Sequence, residues 1–215
     1  MKRSPIRSLA VLAIAGLALA AAAVAAQEQE QGKEKEKPKE LARFTGYVRI
    51  LPGSMPQYTG PGQGSMSGKS IRATMSVERW TTDEERAALL KALNEGGSDA
   101  LLAAMRKTIV GYFWTTTTTR YPLNIASTAQ TEKGRLVRLV TERPIQFAEF
   151  AASTPRSRDY EFGVIEMLLD EKNKGEGTVI MTAKVNINKD GQLEVESLGT
   201  TPQPLINVKQ EQIKD

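Results

Sequence analysis

Two short segments and one pair of charges are the places where this chain could do chemistry. Gly64-Ser65-Met66-Ser67-Gly68-Lys69-Ser70 comes close to the glycine-rich loop that cradles nucleotide phosphates. That loop needs four residues between its glycines, and Gly64 leaves three before Gly68 while Gly62 leaves five. It must also open a helix whose first amides hold the phosphate, whereas the residues from Ser70 onward alternate like a strand. Nucleotide binding is therefore not expected. Asn186-Ile187-Asn188-Lys189-Asp190-Gly191 matches the first half of a calcium-binding EF-hand loop. The position that should carry the bidentate glutamate is Ser197, and strand-like segments flank the match where helices belong. A tight hairpin turn accounts for Asp190 and Gly191 without a metal, and no cofactor is expected.

The charge pair is Glu166 with Arg138. Glu166 shares one side of its segment with Tyr160, Phe162, Val164 and Leu168, and Arg138 stands between Leu136 and Val140. An unpaired charge among apolar side chains costs several kcal/mol, so each needs a partner or water. Two readings follow: the two meet in a cavity as the polar floor of a ligand site, or they form a structural ion pair or a solvated face. A cluster of aromatics, Trp80, Tyr112, Phe113 and Trp114, offers either ordinary packing or the lining of an apolar pocket, with Arg79 or Arg143 as polar contacts. The ligand-binding candidates are thus Trp80, Tyr112, Trp114, Arg138, Arg143 and Glu166; no catalytic or metal-binding residue is assigned.

Composition narrows the chemistry further. The chain has no Cys and no His, which excludes disulfides, thiolate nucleophiles, Cys/His zinc sites, histidine-ligated haem and any triad with an imidazole base. Carboxylates are plentiful enough for a two-acid hydrolase, but no spacing singles out a pair. The formal charge of +4 comes mostly from Lys2, Arg3 and Arg7; beyond residue 26 cations and anions nearly balance. No cluster of Lys and Arg marks a nucleic-acid partner.

The elements that must position these residues are mostly strands. Arg43–Leu51 and Ser70–Trp80 alternate with a period of two, and between them lies a long Gly-, Pro- and Ser-rich loop. Strand patterns resume at Ile109–Thr119, Tyr121–Thr128, Arg135–Thr141, Tyr160–Leu169, Thr178–Asn188, Leu193–Leu198 and, weakly, Leu205–Lys209. One helical region interrupts them. Thr82 and Glu85 form a capping box, Leu89, Leu90 and Leu93 follow, and Gly96-Gly97 ends the run. Ser98 then caps a second helix with a stripe of Leu101, Leu102 and Met105, giving a helical hairpin at about 83–107. Near Asp190, only a three-residue loop pairs Ile187 with Leu193 and Val185 with Val195, buried against buried, with Gly191 in a bulge. The expected fold is mainly β (α+β): an antiparallel β-sandwich or barrel-like sheet of about eight to ten strands with the hairpin inserted after the second.

The start of the chain carries an address. Lys2, Arg3 and Arg7 precede an apolar stretch from Leu9 to Ala26 that ends in small residues, the pattern of a secretory signal peptide cut after Ala25 or Ala26. Ala makes up much of that stretch and is weakly apolar, so no stable membrane span is expected after cleavage. Residues 27–42 read as a charged disordered tether, and 43–215 as one domain in the periplasm or outside the cell.

The order of Val77-Glu78-Arg79-Trp80-Thr81-Thr82-Asp83-Glu84-Glu85-Arg86, Thr141-Glu142-Arg143-Pro144-Ile145 and the stretch from Ile165-Glu166 to Gly177 resembles an uncharacterised family of secreted bacterial proteins. The resemblance implies a single exported domain and transfers no activity. The function expected is that of an exported, non-catalytic protein that binds a small apolar or amphipathic ligand, such as a lipid, or a partner in the envelope. The alternatives are a purely structural or interaction module and a carboxylate-dependent hydrolase.

Overall fold

The computed structural model describes residues 39–52, 67–145, 162–187, 193–197 and 201–213, all within one unit, Lys39–Asp215. Alternation decides which way each side chain turns. In β1 (Ala42–Arg49), Phe44 and Val48 are fully buried while Arg43, Tyr47 and Arg49 are exposed. In β2 (Ser70–Val77), Ile71, Ala73, Met75 and Val77 are buried and Arg72 is exposed. The remaining strands are β3 (Gly111–Thr115), β4 (Tyr121–Leu123), β5 (Ile125–Thr131), β6 (Gly134–Thr141), β7 (Phe162–Leu169), β8 (Lys174–Ile187), β9 (Leu193–Ser197) and β10 (Gln203–Glu211). They pair in the order β4-β3-β2-β1-β10-β8-β7-β6-β5, with β9 added to β8, and each described pairing is antiparallel. The fold is a mainly antiparallel, nearly closed barrel-like sheet with one helical element, as the strand patterns predict.

Near-closure depends on Asn124. It alone separates β4, which pairs with β3, from β5, which pairs with β6. Its amide donates to the Val140 carbonyl, and its side-chain oxygen accepts from the Glu142 amide at 2.9 Å. Its Nδ2 donates to the carbonyls of Met105 and Thr108. The expected single strand Tyr121–Thr128 is therefore bent into two, and the bend lets one stretch of chain border both ends of the sheet. Beside it, Thr81 donates its amide to Ala126 and accepts the Ala126 amide on its hydroxyl.

The inner surface is packed with side chains. Phe44, Met75, Phe113, Leu123, Leu139, Ile165 and Met167 are all fully buried in one cluster drawn from most of the strands. Outside, helix α1 (Asp83–Met105) covers part of the sheet with Leu93, Leu101, Leu102 and Met105 against Val140, Phe162, Val164 and Ala183. Its start follows the sequence. Thr82 accepts from the Glu85 amide, and Glu85 accepts from the Thr82 amide at 3.0 Å. The two expected helices form one element whose non-helical residue is Gly97, at φ 66°, a conformation that glycine adopts without steric cost.

Among the strand boundaries that differ from expectation, three have a visible physical reason. The Thr run ends β3 at Thr115, because the hydroxyls of Thr115 and Thr118 accept backbone amides locally and turn the chain. β8 starts four residues before Thr178, at Lys174. Gly175 and Gly177 conceal that start in the sequence, yet a Cβ at either would run into the carbonyl oxygen of Leu168 or Glu166 across the pair. β10 is longer than Leu205–Lys209 and carries a bulge where Asn207 sits at φ 53°. The register near Asp190 is as predicted, with Val185 opposite Val195 and Ile187 opposite Leu193. The turn itself, the expected signal peptide, most of the tether and residues 53–66 lie outside the described residues.

Candidate functional site

The strands place the six predicted site residues in separate environments. Arg138 and Glu166 stand directly opposite each other on β6 and β7 and are joined by Nε and Nη2 to Oε1 contacts of 2.6 Å each. Their expected pairing is present, but not over a cavity: they lie on the outer face, with side chains 41% and 31% exposed. The reason is visible in β7. Phe162 and Val164 share that face and are buried under α1, whereas the alternate residues Ile165, Met167 and Leu169 fill the barrel. Under the helix the strand is apolar on both faces, and beyond it the outward residues are the half-buried Glu166 and Leu168. Glu166 begins the part beyond that cover, flanked by Ser127 across Arg138 and by Thr178 on β8.

Trp80 is half-buried and packs against the inner cluster. Arg143 is exposed and lies 4.3 Å over the ring of Tyr121, whose body is buried beside Phe113 at 6.0 Å between ring centroids. Tyr112 and Trp114 alternate with Phe113 and so point outward from β3, both half-buried. The expected pocket beneath the helices is not lined by these aromatics, since α1 packs on Val140, Phe162, Val164 and Ala183. Arg79 makes two 2.8 Å hydrogen bonds to Glu85 and so anchors the start of α1. The Arg79 bonds, with the Thr82 amide second, hold the Glu85 carboxyl below its ordinary value.

Residues that the candidate set missed share the face of Tyr112 and Trp114. The Arg120 guanidinium lies 4.7 Å from the Trp114 ring centroid and 5.8 Å from that of Tyr112, a stacked cation over two rings. Register carries the face across the neighbouring strands: Trp114 opposes Thr74, and Tyr47 opposes Arg72. Tyr47 is 43% exposed, and Arg49, Arg72 and Arg120 are exposed as well. Among the described residues none of these three arginines makes a salt bridge. The sequence does carry a signal for this face. No Asp or Glu occurs between Glu40 and Glu78 or between Asp99 and Glu132, two runs that supply β1 to β5.

Two open concavities among the described residues lie beside Leu41 and Ile213, and neither is lined by a predicted site residue. Among the described residues no three acidic side chains come together in a way that could hold a metal ion. No family model, curated protein or solved structure matches this chain.

Proposed function

We propose that this is an exported, non-catalytic binding protein that meets its partner in the cell envelope on the outside of the barrel, across β1, β2 and β3. The observation that carries this reading is the contrast between the two surfaces of one sheet. Inward, Phe44, Met75, Phe113 and Met167 are fully buried and fill the space that a small apolar ligand would need. Outward, Tyr47, Tyr112 and Trp114 present aromatic surface beside Arg49, Arg72 and Arg120, which make no salt bridge among the described residues. Exposed aromatic and arginine side chains together are the composition of recognition surfaces. Export supports an envelope partner, and it rests on the charged, then apolar, then small-residue pattern of residues 1–26.

A photo-crosslinking amino acid placed in turn at Trp114 and at Lys91 on α1 tests the reading in intact cells. Adducts are expected from position 114 and not from 91. Adducts only from 91 would move the partner to the helix and overturn the proposal. Saturable, stoichiometric uptake of the apolar fluorophore N-phenyl-1-naphthylamine by the purified protein would return the ligand to the interior and overturn it equally.

A further inference from the structure

We infer that the partner of the β1–β3 face is an anionic phospholipid bilayer, a deepening that rests on the outward-docking reading above. Charge complementarity carries the argument. Arg49, Arg72 and Arg120 are exposed on strands, and on a turn, that contain no carboxylate at all. Each guanidinium presents several N–H donors in a planar fork that matches phosphate oxygens. Stacking on Trp114 and Tyr112 holds the Arg120 guanidinium on this outward face, where the edge of its fork can donate to phosphate oxygens.

The aromatics distinguish a bilayer from other polyanions. Trp and Tyr settle at the depth of lipid headgroups, with the ring toward the acyl chains and the polar tip in water. Tyr47, Tyr112 and Trp114 are spread over two strands, with Arg72 opposite Tyr47. A single-stranded polymer is instead held in a charged groove with bases or sugars stacked on open rings. The two concavities described above lie elsewhere, and Arg120 already stacks on the Trp114 ring. The outer surface of a barrel-like sheet is convex and meets a plane along a few strands. Binding of this kind is peripheral, and it fades as salt screens the headgroups.

The test uses protein purified from its native host and vesicles of phosphatidylglycerol mixed with phosphatidylcholine, against phosphatidylcholine alone. Flotation with the anionic vesicles only, reversed by high salt, is expected. Each arginine near such a surface is worth about fivefold in affinity. A variant with Arg49→Gln, Arg72→Gln and Arg120→Gln together should thus lose about a hundredfold. These side chains are exposed, so the variant's unchanged thermal melting certifies its fold. Brominated lipid should quench tryptophan emission, and Trp114→Phe should remove the quenching while Trp80, packed on the core, stays dark to it. Equal binding to both vesicle types, or full binding by the triple variant, would overturn the inference. Tighter binding of an acidic polymer, with dextran sulfate as the probe, would overturn it in favour of a chain-like partner. If vesicles fail while position 114 still gives adducts in cells, the docking face stands and its lipid assignment falls. If both fail, both fall.

Discussion

The Glu85 carboxylate accepts two hydrogen bonds from Arg79 and one from the Thr82 amide, and these contacts favour its charged form. A carboxyl held below its ordinary value adds stability that is present above the unfolded-state value and is lost as pH falls through the folded-state one. Glu85→Gln is therefore expected to lower the melting temperature at neutral pH, and the gap to the unsubstituted protein should close on acidification. Thermal melts followed by far-UV circular dichroism across pH check this; a gap constant with pH would remove the carboxylate from the account. Arg138 and Glu166 behave differently, because water reaches both. Their cross-strand contact should couple by under about 1 kcal/mol. Urea unfolding of Arg138→Met, Glu166→Gln and the double variant measures that coupling, and strictly additive effects would show that the pair contributes nothing. That each of the two charges needs a partner or water was legible in the sequence. Which surface they occupy was not, since an apolar strand looks the same whether a barrel interior or a helix covers its second face.

At the scale of elements, alternation along β1 and β2 announced the strands, and Thr82 with Glu85 announced the start of α1. What escaped are the places where one residue overrides the pattern around it. Asn124 reads as an ordinary polar residue within a strand, yet it is 2% exposed and its side chain joins α1, the segment after it and β6. Asn124→Leu keeps the branched shape and the number of side-chain heavy atoms and removes the bonds, leaving the Glu142 amide and the Met105 and Thr108 carbonyls without that partner. The expected cost is about 1–3 kcal/mol for each group that water cannot reach. Chemical denaturation gives the total, and faster amide exchange at Glu142 locates it. A variant as stable as the parent, with Glu142 exchange unchanged, would mean that the bend forms without its asparagine. Gly175 and Gly177 escaped for a related reason. Glycine weakens a strand pattern, and only the approach of β7 shows why no side chain fits there.

For the molecule as a whole, the inward residues of most strands merge into one cluster, and the outer surface divides into a part under α1 and a part left open. The open part includes the carboxylate-free strands, so charge distribution and strand order coincide although neither was read from the other. Pairing between β1 and β10 has a further consequence. Tyr47 lies beside Ile206, and Val48 beside Leu205, with most of the chain between them. The first strand thus finds its second neighbour only in the last. Until β10 is free to pair, β1 must wait with one edge unsatisfied, and the sheet stays open between them. Completion of the sheet is therefore a late event by geometry: β10, and not the emergence of β1, sets the moment at which the native state can exist.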